Sequence, residues 1–152
     1  MYRPWICALL FCMLYVSGCE ITSTPVPTND RIPPLTGAWS IRMVHSGGIM
    51  GVSRSIQISS EGTYTVTDER TGSTKEGRLS GPELDRLTEL VASIQYSRSS
   101  GPSGCADCFI YDIEISGAQK AFTARADDVS LADSGLGPLA MELRAIMDRE
   151  LK

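Results

Sequence analysis

The chain has 152 residues, of which 42% are hydrophobic and 21% charged, with a formal net charge of −4. That is too apolar for a wholly disordered chain and too acidic for a nucleic-acid binder, and its basic residues form no cluster. One histidine and five cysteines leave few ligands for a metal centre.

The first element is WICALLFCMLYV, Trp5 to Val16, behind a single positive charge at Arg3. About 12 apolar residues are too few to cross a bilayer, which takes roughly 20. A short apolar core behind a basic start, closed by small residues, is instead an export signal. VSGC, Val16 to Cys19, resembles the bacterial lipobox, an aliphatic residue and two small ones before a cysteine. The resemblance implies cleavage between Gly18 and Cys19 and a diacylglyceryl group on the Cys19 thiol. The working chain would then be fixed by lipid to a bacterial membrane, outside the cytoplasm. Glu20 stands where an aspartate often retains lipoproteins at the inner membrane, so the outer membrane is favoured where one exists.

Cutting at Gly18 removes one of the 14 basic side chains and none of the 18 acidic ones. Residues 19–34 are rich in Pro, Thr and Ser and show no apolar period. Such a stretch cannot offset its ordering entropy by burial, so it reads as a tether. Residues 35–152 then form one domain of about 118 residues, a common size for a single core.

Trp39, Ile41 and Met43 alternate with polar residues, as do Arg54, Ile56 and Ile58, then Tyr64 and Val66. Thr74 to Leu79 closes a further hairpin after the Thr71-Gly72 turn. The period then lengthens. Leu84, Leu87, Leu90, Val91 and Ile94 fall at helical spacing from Gly81 to about Gln95, with Pro82 in the first turn. Ser80 and Glu83 are spaced as a capping box. Phe109, Tyr111, Ile113 and Ile115 restore the strand period. Lys120 to Ala126 follows as a partner strand, and Leu139, Leu143, Ile146, Met147 and Leu151 make a last helical stripe. The expected fold is α+β: an antiparallel sheet of five to six strands against two helices, in the order strands, helix, strands, helix.

Few residues carry chemistry. In an exported chain CADC, Cys105 to Cys108, reads as a local disulfide pinning the loop to the strand start. Two cysteines and His45 fall short of the four ligands of a structural zinc site. His45-Ser46 lacks the turn context of a nucleophile and base. Asp127, Asp128 and Asp133 read as turn and cap residues rather than cation ligands. No cofactor and no catalysis are expected. Ser46-Gly47-Gly48-Ile49-Met50-Gly51 connects two strands, and its glycines suit a tight turn. Ile49 and Met50 are too apolar for a simple solvent-facing connection. They either tuck into the core or stay out as an apolar tip for a partner.

Taken together, SGGIMGVSRSIQI (Ser46 to Ile58), LSGPELDRL (Leu79 to Leu87), GCADCFIYDIEI (Gly104 to Ile115) and the terminal stripe resemble the emfourin-like family. The likeness runs from about Trp39 to Ile146. It implies a compact domain, monomeric, that binds a thermolysin-like zinc metallopeptidase and blocks its cleft, without cofactor or catalysis. Ile49 and Met50 are then the first contact candidates and the Ser97 to Gly104 loop the second. Two other readings stay open: an envelope lipoprotein that pairs with another envelope component, and a lipocalin-like binder of small molecules, suggested by Gly37-Ala38-Trp39.

Overall fold

A computed structural model describes residues 31–97 and 103–152. The signal segment, the Gly18-Cys19 junction, most of the tether and the middle of the Ser97 to Gly104 loop lie outside the described residues.

Six strands and two helices follow in the expected order: β1 Ser40–Gly47, β2 Val52–Ser59, β3 Thr63–Asp68, β4 Ser73–Arg78, α1 Gly81–Ser93, β5 Phe109–Ser116, β6 Ala121–Asp127 and α2 Gly137–Glu150. They form one sheet in the order β4-β3-β2-β1-β5-β6, antiparallel throughout. β1 to β4 are a meander. After α1 the chain returns to the far side of β1, so β1 becomes central. The sheet is open, with β4 and β6 at its edges, and no barrel closes. That removes the structural basis of a lipocalin-like site, which needs closed strands around its ligand.

The register lines the apolar residues into rows on one face. One row runs Tyr64, Ile58, Ile41, Ile115, Phe122, and the next Val66, Ile56, Met43, Ile113, Ala124. Leu87 and Val91 of α1 and Leu139, Leu143, Ile146 and Met147 of α2 pack into the same core. Each such side chain contributes roughly 1.5–3 kcal/mol on burial. The other face carries Ser, Thr and charged residues and stays solvated, as one side of an antiparallel sheet can.

Local chemistry sets the ends of the elements. Glu83 accepts from the Ser80 backbone N–H at 2.8 Å and its hydroxyl at 2.7 Å, completing the capping box. α1 stops at Ser93, with Ile94 already extended, slightly short of the expected Gln95. A Cβ on Gly135 would strike the Gln95 carbonyl oxygen, so the turn into α2 sits directly on the chain leaving α1. The Ser97 N–H donates to the Ser134 carbonyl at 3.1 Å beside it.

The packed domain starts earlier than the composition suggests. Pro33 is buried, and Ile32 and Leu35 pack against the core. The end of the expected tether thus lies along α1, where Ile32, Leu35, Val91, Ile94 and Tyr96 line an open groove of about 770 Å³. Ile32 to Leu35 is two prolines between two aliphatic residues, too short to show an apolar period, which is why the contact is not legible locally.

Candidate functional site

The β1–β2 connection projects from the end of the central hairpin. Gly47 pairs with Val52, and the Gly51 N–H donates to the Gly48 carbonyl at 2.9 Å, closing a four-residue turn. Gly48 and Gly51 take φ of 68° and 59°. Because the flanking glycines carry the left-handed conformations, Ile49 and Met50 hold the apex with ordinary negative φ. They are 87% and 76% exposed, the most exposed large apolar residues among those described. Of the two placements open to the sequence, the outward one is the one adopted.

The apex is braced from two sides. The Gly48 N–H donates to the Cys108 carbonyl at 3.2 Å. On the other side Arg70 Nη1 donates to the Met50 carbonyl at 2.6 Å. Arg70 stands in the β3–β4 turn, where the Asp68 carboxylate accepts from the Arg70 and Thr71 N–H groups at 3.0 and 3.2 Å. The Cys105–Cys108 disulfide closes the short loop that supplies the Cys108 carbonyl, directly before β5 begins at Phe109. Gly47 lacks a side chain for a close-approach reason: a Cβ there would lie 2.6 Å from the Cys108 oxygen.

Beneath the turn the core ends in polar groups. His45 is 3% exposed, with its ring 4.7 Å from Phe109 and 5.0 Å from Tyr111, centroid to centroid. Its Nε2 has no hydrogen-bond partner among the described residues. Burial lowers its pKa below the ordinary 6.5; Arg144 and Arg54 push the same way, while Asp148 and Asp128 oppose them. Burial, with the Asp128 carboxylate, raises that of Tyr111, whose hydroxyl donates to Asp128 at 3.0 Å. Arg54 bridges Asp148 at 3.0 Å and Asp68 at 3.5 Å. No local motif joins these residues, which come chiefly from β1, β2, β5 and α2. His45 alone leaves a signal: continuing the Ile41, Met43 alternation by two residues turns His45 inward and Ser46 outward. The two side chains leave opposite faces of β1, so they cannot act as base and nucleophile together.

Asp127 is a turn residue. Its Oδ1 accepts from the Val129 and Ser130 N–H groups at 3.1 and 2.8 Å, and its Oδ2 from the Ser103 N–H and hydroxyl. Donation from the Ser130 backbone, then from the Ser103 hydroxyl, holds its carboxyl well below the usual range. Among the described residues no three His, Cys, Asp or Glu side chains converge as a metal would need.

No protein-family model matches the chain, and no curated protein matches its sequence.

Proposed function

We propose that the chain is an emfourin-like binding protein of the bacterial cell envelope, tethered by lipid on Cys19, whose Ser46–Gly51 tip docks into the cleft of a thermolysin-like metallopeptidase and excludes substrate. The role is steric and uses no cofactor and no catalysis. What supports the reading is the tip: two large apolar side chains held in water on a turn braced by Cys108 and Arg70. A loose loop would lose conformational entropy on binding, whereas a braced one has already lost most of it. Exposed apolar anchors are the usual energetic centre of an interface of about 800 Å² per partner. Anchoring to the membrane would raise the effective concentration against a target on the same surface.

The test is a titration of the chain, without its lipid, into a thermolysin-like peptidase cleaving a small peptide. Stoichiometric loss of activity is expected. Ile49→Asp with Met50→Asp should weaken it by about 2–4 kcal/mol while thermal unfolding stays unchanged, since both side chains are in solvent. No inhibition by the folded domain, across several such peptidases, would exclude the peptidase as partner. The same tip would then serve another envelope component, to be found by pull-down from membranes.

A further inference from the structure

Phe109 is shared between the buried His45 and the tip. One side of its ring packs on the imidazole at 4.7 Å. The Cε1–Cζ edge of the same ring lies so close to Gly48 that a Cβ there would come within 2.7 Å of Cε1. Gly48 opens the turn that carries Ile49 and Met50, so whatever moves Phe109 moves the base of the tip.

His45 can move it. In a neutral imidazole protonated on Nδ1, the unpartnered Nε2 is only an unmet lone pair, which a buried site tolerates. A second proton turns Nε2 into a charged donor with nothing to donate to, out of reach of water. The ring must then swing toward solvent or toward a carboxylate. The groups facing it are Arg54 from β2, Tyr111 from β5, Asp128 after β6, and Arg144 and Asp148 from α2. Both carboxylates are occupied. Asp128 accepts from the Phe109 N–H at 2.8 Å and from the Tyr111 hydroxyl. Asp148 holds Arg54 at 3.0 Å and Arg144 at 3.7 Å, and Arg144 lies over the Phe109 ring. Reaching either carboxylate draws the imidazole out of its stack with Phe109 and into the groups that hold that residue.

We propose that His45 is a proton sensor for the tip: neutral, it seats Phe109 under Gly48 and keeps Ile49 and Met50 braced; protonated, it unseats Phe109 and loosens them. Burial delays the charging to a pH below that of an exposed histidine. A partner docked on the tip would be released on acidification. That consequence rests on the docking role proposed above, but the coupling itself does not.

It is tested without a partner. The full-length chain in detergent micelles, labelled at Ile and Met methyls and at the His45 ring, is titrated from about pH 8 to about pH 4 by NMR. Ile49 and Met50 should follow the His45 midpoint, below 6.5, while Ile115 at the far end of β5 stays still. Protection factors at Gly48 and Gly51, whose N–H groups close and brace the turn, should fall at least about tenfold across that midpoint once the intrinsic slowing of exchange in acid is divided out. In His45→Gln and His45→Phe, each checked for fold by near-UV circular dichroism, the inflection at the tip should vanish. The proposal is overturned if His45 charges while the tip stays still. It is equally overturned if Ile115 moves with the same midpoint, since the loss is then global, or if the inflection survives in either folded variant.

Discussion

Tyr64, Glu83, Arg149 and Glu150 close one side of the helix layer; His45, Arg54, Arg144 and Asp148 close another. In the first cluster every group is answered. Arg149 bridges Glu83 at 2.8 Å and Glu150 at 2.9 Å, and Glu83 also caps α1. The Tyr64 hydroxyl reaches Glu150 and Arg149 while its ring covers the bare backbone of Gly77. This cluster fastens the start of α1 to the end of α2. In the second cluster the arginines and aspartates are paired, but the imidazole at its centre has an idle nitrogen. Polar groups that are fully satisfied specify a single arrangement, and one left unsatisfied marks a place where a second arrangement is within reach. The satisfied cluster fastens the two helices together; the unsatisfied one lies under the braced turn that carries Ile49 and Met50.

The largest expected effect tests whether the two clusters share a foundation. Leu143→Ala, in the fully buried stripe of α2, should cost about 2–5 kcal/mol by chemical denaturation and loosen both. A loss below about 1 kcal/mol would mean that α2 does not bear on the core as described.

Glu83→Gln addresses the first cluster alone. At neutral pH it should cost about 1 kcal/mol, through the weakened cap and the lost Arg149 bridge. The dependence on pH has a definite sign. The Ser80 hydroxyl and N–H, with Arg149, lower the Glu83 pKa from 4.5 to about 2. Its contribution is therefore full above 4.5 and is lost as pH falls through about 2, so wild type and variant should converge in strong acid. His45 acts in a different window. Its lowered pKa makes the folded form bind protons less readily than the unfolded chain, so its penalty begins as pH drops below 6.5. Stability curves of Glu83→Gln and His45→Phe against wild type should therefore separate in two distinct ranges; a single common range would dissolve the comparison.

The most local effects separate two glycines of the tip. Gly48→Ala meets both a φ of 68° and the Phe109 ring, whereas Gly51→Ala meets a φ of 59° and open space. The second should cost about 1 kcal/mol of backbone strain and the first roughly 1 kcal/mol more. Equal costs in thermal unfolding would mean that Phe109 does not rest on Gly48.

Much of the fold is legible in the chain because it is written at short range. The two-residue alternation of Ile41 and Met43 or of Tyr111 and Ile113 marks strands wherever they pair, and the Ser80–Glu83 box starts α1 with groups four residues apart or fewer. The Cys105–Cys108 bridge is equally local. The site is less legible. That SGGIMG connects strands follows from its glycines, but whether Ile49 and Met50 point in or out depends on which residues stand below them. Those are Phe109 and Cys108, about sixty positions away.

By itself, then, the sequence determined the element types, their order, the inward-facing residues and the turn chemistry, since each rests on neighbours within a few positions. The tertiary structure alone decided that β5 inserts beside β1, that Ile32 to Leu35 lie on α1, and that His45 ends beneath the tip with Nε2 unmet. Those outcomes depend on pairings across the whole domain, where no local period or spacing distinguishes one partner from another.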